Sequence, residues 1–167
     1  MKTINSIDQI NELTKNDFID IFGNVFEKTY WIANKTYNSK PFKSFDELLS
    51  IIMQNYENSS EEEFLKIFNE HPELVVEKKL TENSQNEQNN ASLNRCSDKE
   101  FNEFKNLNTE YRKKFGFPFI IAVKGKNKNE ILNNFRKRIY NEISNEFDEA
   151  KRQVKKIASF RLSEIIN

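Results

Sequence analysis

A chain of 167 residues has room for one hydrophobic core and little more, and its 26 Lys and Arg balance 26 Asp and Glu, so no net charge draws it to a polyanion or a lipid surface. Nucleic acid and membrane are therefore not expected as partners; the N-terminus has no basic stretch leading into an apolar run, and no apolar segment approaches the length of a bilayer span. The lone Cys96 excludes an internal disulfide and Ile165-Ile166-Asn167 is no peroxisomal address, which makes a reducing cytoplasm the expected compartment.

Fifteen Phe and five Tyr against three Gly and three Pro favour long helices over many short strands, and the expected fold is an all-α, single-domain helical bundle over residues 1–167. The first helix is expected through Asp17 to Ile32, carrying Phe18, Ile21, Phe22, Val25, Phe26 and Tyr30, with Gly23 a weak point. Four Ser-x-x-Glu boxes, beginning at Ser44, Ser60, Ser84 and Ser97, each match the reciprocal cap of a helix start. From Ser97 the spacing of Phe101, Phe104, Leu107, Tyr111 and Phe115 predicts a helix that stops at Gly116, a residue suited to the left-handed turn after a helix. Phe117 to Val123 is apolar and β-like, but it has no partner strand and contains Pro118; it is predicted to be an extended, buried connector. Glu130 to Ile166 returns to helical spacing through Ile131, Phe135, Ile139, Ile143, Phe147, Ala150, Val154, Ile157 and Ile165, with a break near Asn141 to Ser144.

Several polar residues fall where apolar ones are expected. Arg161 occupies the closing stripe between Ile157 and Ile165, so its guanidinium needs a carboxylate, a bound anion or a route to water. His71 follows Phe64 and Phe68 on one face and precedes Pro72, which suits a helix junction and the first turn of a helix through Val76. Such a histidine is either a satisfied core residue or an acid/base group. One His and one Cys are too few for an ordinary zinc site, and no calcium-loop spacing appears. A helix opening at Ser84 would turn backbone amides over Ser84, Gln85, Asn86, Glu87 and Gln88 towards anionic or carbonyl oxygens, and the Gln88 amide would suit a urea-like group.

The segments His71-Pro72-Glu73-Leu74, Ser84-Gln85-Asn86-Glu87-Gln88, Leu107-Asn108 with Tyr111, and Phe115-Gly116-Phe117-Pro118-Phe119-Ile120-Ile121 occur in an order and spacing that resembles the 2-oxo-4-hydroxy-4-carboxy-5-ureidoimidazoline (OHCU) decarboxylase family. The similarity continues through Arg138, Glu146 and Val154 to Leu162, and Phe22 to Glu27 also fits. Ser92 stands where relatives often carry glycine, a departure that would tighten helix packing beneath the pocket.

This resemblance implies an all-helical enzyme, commonly a homodimer, that needs neither metal nor organic cofactor and converts a small ureidoimidazoline to (S)-allantoin with loss of carbon dioxide. His71 would be the catalytic acid/base, with Glu87 and Arg161 contributing. Pro72, Ser84, Gln85, Asn86, Glu87 and Gln88, with Phe119, Ile120, Ile121, Ala122 and Val123 of the connector, would line the substrate pocket. Two other readings stay open on the sequence: an all-α protein-interaction module without catalysis, and a lyase or hydrolase acting on a related ureide.

Overall fold

Local capping chemistry accounts for most of the helix starts. In the computed structural model, which describes residues 4–75 and 81–166, the Ser6 and Ser97 hydroxyls each accept the amide three residues on, while Gln9 and Glu100 return the bond to the cap amide. Ser60 and Glu63 pair in the same way, and at Ser44 the returning Glu47 carboxylate takes the Lys43 amide instead. The described helices are α1 (Ile7–Asn11), α2 (Lys15–Phe22), α3 (Tyr30–Tyr37), α4 (Phe45–Glu57), α5 (Glu61–Glu70), α6 (Glu82–Asn90), α7 (Asp98–Phe115), α8 (Lys128–Arg138) and α9 (Ile143–Ile165). Among the described residues no strand forms; the nearest approach is an isolated parallel bridge between Ile4 and Ile166. The expected all-α class is what the chain adopts.

The chain divides into two compact units, one of residues up to Glu70 together with those from Lys155, the other His71–Val154. In the first, Phe26 stacks on Tyr56 at 4.7 Å, Tyr56 meets Phe64 edge-on at 5.3 Å, and Phe18 packs on Phe22 at 4.7 Å. In the second, Tyr111 touches Phe115, Phe117, Phe119 and Phe135, and Phe119 lies flat on Phe135 at 3.9 Å. These rings are large apolar surfaces removed from water, the main source of stability in each core.

The predicted helix from Asp17 to Ile32 is interrupted: α2 stops at Phe22 and α3 begins at Tyr30. A continuing helix would bond the Lys28 amide to the Asn24 carbonyl. Here the Lys28 amide donates to the Asn24 side chain at 2.9 Å, and the Asn24 carbonyl accepts from Arg161 at 3.0 Å. The turn brings Tyr30 so close that a Cβ on Gly23 would lie 2.4 Å from both the Tyr30 ring and the Ile19 carbonyl oxygen. Near the C-terminus the break falls at residues 139–142, slightly earlier than expected, and Ile143, the first residue of α9, is exposed rather than part of the apolar stripe.

Helix α6 begins three residues earlier than its Ser-x-x-Glu box predicts. Thr81 is the cap and accepts the Ser84 amide, which places Ser84 inside the first turn, buried together with Gln88. The far end is a Schellman turn, with the Leu93 amide on the Gln88 carbonyl at 3.0 Å and the Ser92 amide on the Asn89 carbonyl at 3.0 Å. Ser92 itself takes φ +61° and is exposed. The residue does not tighten buried packing, as its departure from glycine suggested; it occupies a backbone position that glycine fills without strain. The left-handed conformation costs a side-chain-bearing residue about 1–2 kcal/mol, offset by the larger entropy that glycine loses on folding, about 0.5–1 kcal/mol. Ser92→Gly is therefore expected to raise stability by about 0.5–1 kcal/mol, read as an increase in the urea midpoint with unchanged slope.

Candidate active site

His71 is the first residue after α5 and is buried. The helix expected from Pro72 onward does not form over residues 72–75, and Val76, its last expected member, lies outside the described residues. The backbone instead bends, and Val75 sits at φ +56°, a region that β-branched residues seldom occupy. Side chains hold this shape. The Gln88 amide spans it, with its oxygen accepting the Val75 amide at 3.2 Å and its nitrogen donating to the Glu73 carbonyl at 3.4 Å. Between those contacts Asn108 Nδ2 donates to the Leu74 carbonyl at 2.8 Å, and the Glu73 carboxylate pairs with Arg112 at 2.9 Å.

This arrangement changes the part assigned to α6. The Ser84 amide bonds to the Thr81 hydroxyl at 3.3 Å and the Gln85 amide to the Thr81 carbonyl at 2.9 Å. Those two amides are therefore engaged within the helix and do not form the expected oxygen-binding start. Gln88, expected to suit a urea-like group, uses both ends of its amide on the backbone that follows His71. Ser84 is buried, Glu87 and Pro72 are half-buried, and Gln85 and Asn86 are exposed. The burial pattern thus brings Ser84, Gln88 and the edge of Glu87 to the inward side of α6 and leaves Gln85 and Asn86 outward.

The connector behaves as its composition predicts, with Phe117 to Val123 buried and without regular structure. A buried extended segment must have its peptide groups satisfied by something other than a sheet. Arg138 Nη1 donates to the Ile120 carbonyl at 2.8 Å, and Gln153 Oε1 accepts the Ala122 amide at 2.9 Å. The Arg138 guanidinium also lies 4.4 Å above the Phe119 ring, so one side chain fixes the connector by both charge and stacking.

Arg138 is in turn neutralised by Glu146, which is fully buried: Nε donates to Glu146 Oε1 at 2.7 Å and Nη2 lies 2.6 Å from the same oxygen. Tyr111 donates to Oε1 at 2.7 Å and Asn141 to Oε2 at 3.0 Å. Burial first, and the Glu146 charge second, push the Tyr111 phenol far above its ordinary pKa, so it remains a donor. The family resemblance includes Arg138 and Glu146 but does not pair them. Their spacing of eight residues across a helix break carries no periodic signal of a pair.

Arg161 belongs to the other unit, where it is buried and bonded to Glu27 at 2.8 Å as well as to the Asn24 carbonyl. Of the alternatives open on the sequence, the carboxylate partner is present. Glu27, itself 1 % exposed, follows Val25 and Phe26 in a stretch that the spacing reads as one helix, and helical periodicity does not place it on the apolar face.

The described residues form an all-helical protein in which a buried histidine precedes a backbone segment held by side-chain amides, and comparison with known proteins gives its family. A family model described as OHCU decarboxylase matches residues 11–163, and the chain belongs to that family. It is 36% identical over 159 residues to 2-oxo-4-hydroxy-4-carboxy-5-ureidoimidazoline decarboxylase of Haloferax volcanii, covering 95% of each chain. It is 41% identical over 157 residues to the uric acid degradation bifunctional protein of Bacillus sp. strain TB-90, covering 94% of this chain but only 31% of that relative's length. Among solved structures, (S)-allantoin synthase superposes with a TM-score of 0.79 at 23% identity, covering 98% of this chain and 54% of that one, a likeness of fold. An OHCU decarboxylase crystallised in the presence of (S)-allantoin gives a TM-score of 0.68 at 25% identity, covering 80% and 89% of the two chains.

The Arg161–Glu27 pair yields a stability prediction. Removing one partner of a buried ion pair leaves an uncompensated charge, at a cost of about 3–5 kcal/mol. Glu27→Ala is expected to destabilise by that amount in chemical denaturation, and the double variant Glu27→Leu with Arg161→Met to recover most of the loss.

Proposed function

We propose that this chain decarboxylates 2-oxo-4-hydroxy-4-carboxy-5-ureidoimidazoline to (S)-allantoin in urate degradation, as a cofactor-free cytoplasmic homodimer in which residues 1–167 act as a single decarboxylase domain. The observation that carries the reading is the family match, which runs from residue 11 to residue 163 and so crosses both compact units. The chain's own geometry is compatible with it: His71 is buried, and the backbone after it is held in one shape by Gln88 and Asn108. Among the described residues no helix is long and apolar enough to cross a membrane.

In the reaction the bond from the ring to the carboxylate breaks and carbon dioxide leaves. The electron pair moves into the adjoining imine, whose nitrogen takes a proton from the medium. Neutral His71 accepts the proton of the ring hydroxyl, which becomes a carbonyl, and the imidazolium returns a proton to the neighbouring ring carbon on one face. One proton is consumed overall, as conversion of a carboxylate to carbon dioxide requires. Glu87 accepts hydrogen bonds from ureido N–H groups, and Pro72, Ser84, Glu87, Gln88 and Phe119 to Val123 line the pocket, while Gln85 and Asn86 face outward from α6. Arg161 is assigned to charge developing on the ring oxygens; a grip on the departing carboxylate would stabilise the ground state and slow its loss.

The test is to generate the substrate in situ from urate with the upstream enzymes and to follow its decay together with the circular dichroism of the product. Wild type is expected to speed decay and give one hand of allantoin, whereas spontaneous decay to racemate refutes the activity. Folded His71→Ala is expected to lose at least about 100-fold in turnover, the usual contribution of a positioned acid/base; wild-type turnover refutes its role. Activity is expected to survive EDTA, and restoration of a chelator-inhibited enzyme by a divalent metal would overturn the cofactor-free assignment.

A further inference from the structure

Asn108 is 4 % exposed, and its two amide ends are not equivalent. Nδ2 donates to the Leu74 carbonyl at 2.8 Å, which fixes the orientation of the group, because a carbonyl can only accept. Oδ1, pointing the other way, is buried and meets no hydrogen-bond donor among the described residues. Folded proteins seldom leave a buried acceptor in that condition, and a ligand donor is one of the accepted reasons for an exception. The position is informative as well. Leu74 is three residues beyond His71, and the peptide groups on either side of it are held by Gln88 from the buried side of α6.

We propose that Asn108 is a substrate-recognition residue whose Oδ1 accepts a hydrogen bond from an N–H of the ureido arm of the ligand bound beside His71. This deepens the decarboxylase reading and rests on it. An amide oxygen repels carboxylate and carbonyl oxygens, so it selects the donor-rich arm of a ureide and directs the carboxylate elsewhere. It also gives the site a means of rejecting a ring that has no such arm, because binding that ring leaves the oxygen still unsatisfied. Asn108 therefore sets specificity and orientation, while His71 handles protons.

The test compares binding of (S)-allantoin and of hydantoin, the same ring without the ureido arm, to wild type and to Asn108→Leu by titration calorimetry. The expected result is about tenfold weaker allantoin binding in the variant with hydantoin binding changed by less than about twofold, the signature of one lost hydrogen bond to the arm. Equal loss for both ligands, or no loss for allantoin, overturns the proposal. Should Asn108→Leu fail to fold, the Nδ2 proton resonances of Asn108 in wild type decide. They are expected to shift with saturating allantoin and to stay in place with hydantoin, and a shift with both or with neither overturns the assignment. Wild type that accelerates substrate decay yet shows no arm-dependent effect of Asn108 removes this inference alone; wild type that neither binds allantoin nor accelerates decay removes the decarboxylase reading and the inference with it.

Discussion

The carboxylate of Glu146 is fully buried, and the extended connector of residues 117–123 depends on what it gathers. Arg138 and Tyr111 meet one of its oxygens and Asn141 the other. A lone carboxylate in such a place would be too costly to keep ionised, and a lone guanidinium likewise. Together they make a neutral cluster, and that cluster holds the Ile120 carbonyl of a segment that forms no sheet. The connector can thus be both extended and dry, a combination that an unsupported backbone does not tolerate.

The same economy operates beside His71, on neutral groups. Gln88 and Asn108 supply the hydrogen bonds that a helix over residues 72–75 would have made internally. Their side chains replace regular structure at the segment where, on the decarboxylase reading, the reacting group is carried. The cost includes Val75 at positive φ, of order 1–3 kcal/mol, and such strain persists only where surrounding contacts over-determine the backbone.

Legibility in the sequence followed the range of the forces involved. Caps at Ser44, Ser60 and Ser97, the stop at Gly116 and the buried connector depend on a few neighbouring residues, and each was readable. The break after Phe22 was not, because Arg161, 137 positions away, takes the carbonyl that a continuing helix needs. At α6 two caps competed. Ser84 has the better local pattern, but burying Ser84 and Gln88 on one side puts Ser84 within the first turn and leaves capping to Thr81. Of the site, His71 could be singled out by its place beside Pro72 and an apolar face. The duties of Gln88, Asn108 and Arg138 could not, since each depends on which distant backbone group it meets.

Gln88 has one further consequence, for how such a protein can drift. Its oxygen and nitrogen serve partners of opposite sense only two residues apart, so no other common side chain of that length can replace it. Glutamate would present an acceptor to the Glu73 carbonyl, lysine a donor to the Val75 amide, and methionine neither. A lineage departing from this amide must reshape the stretch after His71 in the same step, so single-residue paths through sequence space close at this position while they remain open at the exposed Gln85 and Asn86 one turn away.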